Sequence, residues 1–344
     1  MTGELVLSTR RDPDFFALYE MQRAEAECWV YEIAGRPAAL GTILVRDGWV
    51  GGRPARVGYL GDLRSQLRAS REHGVLRVYG DTIEGAIRRH GCELFLTAVL
   101  ATNTAALNAL VRRREARASQ PRYHLMRRFS ITSVRLAGGV KPSAAPYRVR
   151  IATADDVPAI VGLLDRDHRA RPFGYRYDQG EFEHRLAHWP GMSLESTYVA
   201  FDEAERLVGV TTAWDPAPVK RYRVVAYRGA MRWIKLGFNA AARVLGWTRL
   251  PEAGHDFRTL YLCNTSIEGE RPEVLRALLD RIYADFRRSG YHFFSLCVYE
   301  NDPLAPALRG FMTQRLEFHL YVVTRGDASP PMLEGRPGFE MALA

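Results

Sequence analysis

Two stretches of the chain share a pattern: REHGVLRVYG at Arg71–Gly80 and EGERPEVLRAL at Glu268–Leu278. Val-Leu-Arg stands at 75–77 in one and at 274–276 in the other. From each, helical spacing runs to a basic end and a glycine, Arg88-Arg89-His90-Gly91 and Arg287-Arg288-Ser289-Gly290. Each glycine leads into a short bounded apolar run, CELFLTAVL and YHFFSLCVY, which reads as a strand. An Asn follows each run and opens a second helix, NTAALNAL from Asn103 and NDPLAPAL from Asn301.

The correspondence extends upstream. Tyr59-Leu60 in VGYLGDL matches Tyr261-Leu262 in TLYLCN. Before these lie two hairpins. CWVYEI turns at Ala34-Gly35-Arg36 into PAALGTILV, and STYVAF turns at Asp202–Glu205 into RLVGVTTAW, with Gly41 and Gly209 at similar places. The unit is strand, helix, strand, strand, strand, helix, strand, helix, strand, and the chain contains it twice. Residues 1–136 form the first unit. The Gly-, Pro- and Ala-rich stretch 137–146 reads as a linker. Residues 147–324 form the second, in which Thr153 and Asp156 supply capping chemistry for a helix. In the first, Asp12-Pro13 reads as a helix start. The tail 325–344, with Pro330-Pro331, is expected to cross a surface or pack loosely.

Composition fits two ordinary domains. The chain has 344 residues, 47% hydrophobic and 25% charged, with a formal charge of +9. Almost all the positive charge is Arg, and only Lys141, Lys220 and Lys235 are lysines. Such a surface suits nucleic acid, an anionic membrane, a phosphorylated cofactor, or simply a bias towards Arg codons. Cys28, Cys92, Cys263 and Cys297 are scattered through apolar runs without metal spacing, and read as buried, reduced thiols. The amino-terminal residues lack a signal-peptide core and no run has the length of a membrane span, so a cytoplasmic protein is expected. His184 and His188 share a helix face without a third ligand, so no metal is expected.

The order of elements, with a glycine-containing loop between the fourth strand and its helix, resembles the GNAT N-acyltransferase superfamily. The resemblance implies an α/β fold of two tandem domains, each a mixed, mainly antiparallel sheet flanked by helices. It also implies acetyl-CoA or another acyl-CoA as co-substrate, held at its pyrophosphate by a Q/R-x-x-G-x-G/A loop. Physically, the glycine admits the anion to the bare N–H groups of a helix N-terminus. Arg71, Glu72, His73, Gly74, Val75 and Leu76 occupy that loop, and Leu76 departs from the small residue of the pattern. Leu63, Arg64 and Asn103 join them as expected cofactor contacts, although Asn103 is equally suited to capping its helix. In the second unit, Glu270 and Glu273 replace Arg71 and Gly74, and carboxylates there repel a phosphate. The chemistry is therefore assigned to the first unit.

Acyl transfer needs a base for the amine and an acid for the departing thiolate. The resemblance implies Asp62 as the base. It places Leu110 where the family often has an acid Tyr, which leaves Tyr123 or Tyr59 as substitutes. The acceptor is expected to be a small-molecule or peptide amine. Arg112-Arg113-Arg114 with Arg117 fit either a phosphate contact or a solvated helix face. No DNA- or RNA-reading motif is present, so nucleic acid is not an expected partner. Two other readings stand beside the enzyme: a non-catalytic CoA-binding or regulatory protein, and an aminoacyl-tRNA-dependent transferase.

Residues 216–251 form an insertion in the second unit, with eight Lys or Arg and no Asp or Glu. Tyr227, Met231, Ile234, Phe238, Ala241 and Leu245 recur at helical spacing. A basic amphipathic helix at 220–250 fits three roles: a lid over its own domain, peripheral contact with an anionic membrane or lipid, or a partner contact.

Overall fold

The structure is a computed structural model that describes residues 4–66, 75–92, 94–111, 121–143, 145–325, 328–330 and 333–343, with only the backbone at 75–77. The first repeat begins with β1 (Leu5–Arg11), α1 (Ala17–Glu20), β2 (Glu25–Ile33), β3 (Arg36–Val50) and β4 (Arg53–Ser65). It continues with α2 (Val75–His90), β5 (Phe95–Leu100), a helical segment α3 (Thr104–Ala106) that widens into a π-helix over Leu107–Val111, and β6 (Arg122–Arg135). The second comprises β7 (Arg148–Ile151), α4 (Val157–Ala170), β8 (Gly174–Tyr175), α5 (Gln179–His188), β9 (Thr197–Phe201) and β10 (Leu207–Trp214). The insertion adds β11 (Lys220–Tyr227), α6 (Ala230–Leu245) and β12 (Asp256–Phe257) before β13 (Thr259–Ile267), α7 (Pro272–Phe286), β14 (Phe293–Tyr299) and β15 (Thr313–Thr324).

Local chemistry explains most of these boundaries. The β2–β3 hairpin turns through Ala34 and Gly35 at φ 51° and 71°, the left-handed pair that matches strand twist. Thr153 and Asp156 form the expected capping box. Two starts differ from expectation. Asp12-Pro13 does not open a helix; α1 begins at Ala17, where the Asp14 carboxylate takes the N–H groups of Phe16 and Ala17. Asn301 adopts φ 59° in a turn, and Asp302 caps the following 3₁₀ segment at the Leu304 N–H.

The repeats are interleaved. One twelve-stranded sheet has the order β2-β3-β4-β5-β15-β6-β14-β13-β10-β9-β7, with β8 on the side of β3. The last strands have changed places: β15 of the second repeat pairs with β5, and β6 of the first pairs with β14. A second sheet, β1-β11-β12, joins the start of the chain to the insertion. Residues 137 and 138 of the expected linker are packed down, with the carbonyls of Ala137 and Gly138 accepting from the Tyr283 hydroxyl at 2.8 and 3.0 Å.

The tail does not pack loosely. Met341, Ala342 and Leu343 belong to the central core. Gly338 passes so close to Gly174 that a Cβ on Gly338 would lie 2.4 Å from the Gly174 Cα. A Cβ on Gly174 would lie 1.8 Å from the His168 carbonyl oxygen, so two glycines are needed at this crossing. Arg46 ties it down, donating to the carbonyls of Phe173, Gly174 and Gly338 while its guanidinium lies over the Tyr175 ring. Of the cysteines, Cys28 is exposed on β2 rather than buried.

Candidate active site

β4 and β5 run parallel but pair only at Gly58–Phe95 and Tyr59–Leu96. Beyond that point they splay, and the gap forms a cavity of about 270 Å³. Tyr59, Asp62, Leu63, Arg64, Asn103 and Leu110 all line it. Five of the residues expected from the sequence thus meet in one wedge. Asn103 also caps α3, its side-chain oxygen accepting from the Ala106 N–H at 3.1 Å. Helix α2 starts at Val75, whereas Arg71, Glu72, His73 and Gly74 lie outside the described residues, as do Arg112–Arg114 and Arg117. Backbone alone is described at Val75 and Leu76.

Asp62 sits at a bulge in β4 with φ 47°. Its carboxylate accepts from Arg11 on one oxygen and from Arg64 on the other, both at 3.1 Å, and from the Tyr19 hydroxyl. The Thr42 hydroxyl donates to the Tyr19 oxygen at 3.1 Å. Arg11 is nearly buried and stacks near Phe15 and Tyr19, with Asp62 as its one ion pair among the described residues. Arg64 is 60% exposed. Burial and the neighbouring Asp62 carboxylate push the Tyr19 phenol well above its ordinary range.

The second repeat builds the same cluster from different chemistry. Asn264 aligns with Asp62 through the Tyr-Leu pair and sits at the corresponding bulge with φ 49°. It accepts from the Tyr177 hydroxyl at 2.9 Å and from Arg185 at 2.7 Å, and donates to Thr212 at 3.3 Å. Tyr, Thr and Arg surround position 264 as they surround position 62. The carboxylates for Arg185 come instead from Glu181 and from Glu340 of the tail, at 2.7 and 3.8 Å. Glu340 also accepts from the Asn264 backbone N–H at 3.0 Å. Residues 336–342 of the tail lie in the wedge between β13 and β14, where about 50 Å³ is left.

The two candidate phenols are placed differently. Tyr123 on β6 is one layer behind the wedge, its hydroxyl donating to Tyr79 at 3.3 Å, and burial pushes it well above the usual phenol range. Tyr59 faces the wedge and also lines a narrow gap beside Phe339 and Glu340. Its ring packs on Phe339, centroids 5.7 Å apart, and burial raises its pKa as well. Among the described residues the Tyr59 hydroxyl has no hydrogen-bond partner. The gap adjoins a junction cavity of about 630 Å³ whose walls include Glu25, Asp47, Asp178 and Glu181 as well as several arginines. Sequence reasoning missed Arg11, Tyr19, Thr42 and Phe339, which come from remote segments; pairing Gly41 with Gly209 sets Thr42 against Val210, and the match of Thr42 to Thr212 emerges only from the strand register, with Thr42 opposite Gly61 and Thr212 opposite Cys263.

His184 and His188 stack with centroids 4.2 Å apart, and His184 bonds the Met21 carbonyl. Among the described residues no helix is long and apolar enough to cross a membrane.

The fold is that of the GCN5-related N-acetyltransferases. A GCN5-related N-acetyltransferase from Sphaerobacter thermophilus superposes with TM-score 0.53 at 13% identity, covering 90% of this chain and 80% of its own. N-myristoyltransferase of Saccharomyces cerevisiae, crystallised with myristoyl-CoA, gives TM-score 0.55 at 11% identity, covering 92% of this chain and 72% of its own. No protein-family profile and no curated protein sequence matches this one.

Proposed function

We propose that the protein is an acyl-CoA-dependent N-acyltransferase, with acetyl the acyl group, and that the β4–β5 wedge is its one cofactor site. The observation that carries this reading is the gathering of Tyr59, Asp62, Leu63, Arg64 and Asn103 around the splay, while its twin is filled by the chain's own tail. The pantetheine arm enters the wedge and the pyrophosphate meets the loop Arg71–Leu76, where the helix N-terminus and Gly74 favour an anion.

The acceptor amine approaches from the junction cavity. Its four carboxylates are each paired with an arginine of the same wall, so the cavity offers the amine a polar surface rather than net negative charge. The amine displaces exposed Arg64 from one Asp62 oxygen, and that oxygen takes the proton that makes the nitrogen nucleophilic. Nitrogen attacks the thioester carbonyl; the C–N bond forms, the C–S bond breaks and the thiolate leaves. Tyr59, kept protonated by burial, donates its proton to that sulfur, and the proton lost by the new amide nitrogen replaces it through solvent. Products are amide and CoA thiol.

Titrating CoA while following thermal unfolding tests the site. A stabilisation that Gly74→Glu abolishes supports it, and one that survives overturns the loop assignment. Leu110 at the usual acid position favours a second reading, a CoA-binding protein without turnover. Release of CoA thiol across an amine panel separates the two: turnover retains the enzyme, and tight binding with none replaces it.

A further inference from the structure

Helix α6 is apolar on both sides. Its inner side is anchored: Met231 packs beside Tyr227 and Leu250, Ala242 is buried, and Phe238 lies under the Arg135 guanidinium at 4.3 Å. Asn239 exchanges two hydrogen bonds with Leu250, at 3.1 and 2.7 Å. These contacts fix how far the helix is rotated. They leave a second stripe on the water side, Trp233, Leu236, Ala240 and Val244, at spacings of three and four. Trp233 is 75%, Leu236 63% and Val244 85% exposed. Ile234 and Leu245, members of the stripe read from the sequence, are exposed along one margin.

An apolar stripe of this size on the water side is ordinarily covered by protein or lipid. What covers this one is indicated by charge. Arg232 and Arg243 flank the outer stripe, and a groove of about 1390 Å³ beside it is also lined by Arg249 and Arg258. Only two acids line that groove, and both are already matched: Glu252 with Lys235, and Asp256 with Arg221 and Arg223. Among the described residues Arg243 and Arg249 have no ion pair. A second copy of the chain would set arginine rows against each other, and nucleic acid could stack on Trp233 but offers nothing to Leu236 and Val244. An anionic bilayer surface offers headgroup phosphates to the arginines and an acyl boundary to the apolar stripe.

We infer that α6 docks the protein on an anionic membrane surface, lying in the interface plane with Trp233, Leu236 and Val244 inserted. This is independent of the acyl transfer reading, since α6 lies in the insertion and shares no residue with the wedge.

The test is flotation of the full chain with vesicles of phosphatidylcholine, alone and mixed with phosphatidylserine. Binding is expected to the mixed vesicles and to weaken with salt. Trp233→Ser with Val244→Ser, and separately Arg243→Glu with Arg249→Glu, should each weaken it about a hundredfold, while unfolding temperature stays unchanged because the altered side chains are exposed. Binding to neither vesicle overturns the inference, as does binding that both double variants retain. A dimer in the absence of lipid, broken by the Trp233 and Val244 changes, overturns it in favour of a second copy. Salt-sensitive binding to RNA without vesicle binding overturns it in favour of nucleic acid.

Discussion

The wedges of the two repeats begin alike and end differently. In both, a parallel strand pair splays past a bulge, and Tyr, Thr and Arg side chains converge on the bulged residue. In the first that residue is Asp62, the anion for buried Arg11. In the second it is Asn264, and the anions for Arg185 are supplied by Glu181 and Glu340. Once the tail brings a carboxylate to the bulge, an acid at 264 is no longer needed to balance the arginine. The comparison teaches that the residue at one scaffold position changes with what occupies the wedge beside it. The wedge filled by the tail has an amide there, and the open wedge has a carboxylate.

The largest effect should come from removing the filling. Deleting 333–344 strips Phe339, Met341 and Leu343 from the core, and at roughly 1.5–3 kcal/mol per buried side chain should cost about 5 kcal/mol or more. Denaturant unfolding measures this. If the deleted chain still folds, calorimetry should find one CoA per chain, because Glu270 and Glu273 remain; two would break the contrast between the wedges.

Next is the balance of charge. Arg185→Met leaves Glu181 and Glu340 without their buried cation and should destabilise the protein by about 3–5 kcal/mol. A loss under about 1 kcal/mol would mean that the tail carboxylate is not serving as the anion.

Asp62→Asn makes the first bulge resemble the second. Turnover should fall about 10²–10³-fold with CoA affinity retained, and the melting temperature should also drop because Arg11 loses its ion pair. Arg64→Met, which disturbs neither Arg11 nor the core, should lower KM for the amine. An unchanged KM would remove Arg64 as the group displaced. Tyr59→Phe should lower turnover about tenfold, whereas Tyr123→Phe should leave it unchanged.

The smallest effect is a pH dependence. His292 is held neutral, Nδ1 accepting from the Arg258 N–H at 3.0 Å and Nε2 donating to the Arg249 carbonyl at 3.0 Å. Burial lowers its pKa to about 4 from an ordinary 6.5. Between those values the unfolded chain binds the extra proton, so stability is full above about 6.5 and is lost as the pH falls towards 4. From pH 7.5 to 5.5 this amounts to roughly 1 kcal/mol, and His292→Gln should flatten it in thermal melts.

Much of the fold was readable because each repeat writes its elements locally. Turn glycines, capping residues and apolar periods marked the hairpins and the helices after strand four. Asp62 came from the family resemblance, which points to an acid on strand four, and the structure sets it at the edge of the wedge. The exchange of β6 and β15 was not readable, since a strand's period does not name its neighbour in the sheet. The tail was misread because Pro and Gly suggest a loose surface segment; here Gly338 is required for a tight crossing. On α6 the stripe containing Met231 and Phe238 was found by its period, and the structure turns that part of it inward. Trp233, Leu236 and Val244 carry the apolar arc round to the water side.

The strand exchange also bears on how the chain is made. When residue 136 leaves the ribosome, β5 has no neighbour on one edge, and it gains one only when 313–324 have been synthesised. For nearly the whole translation of the later repeat the earlier one carries a bare strand edge, open to non-native association. Expressing residues 1–136 alone should therefore give aggregates, and supplying the later repeat during synthesis, rather than afterwards, should rescue them.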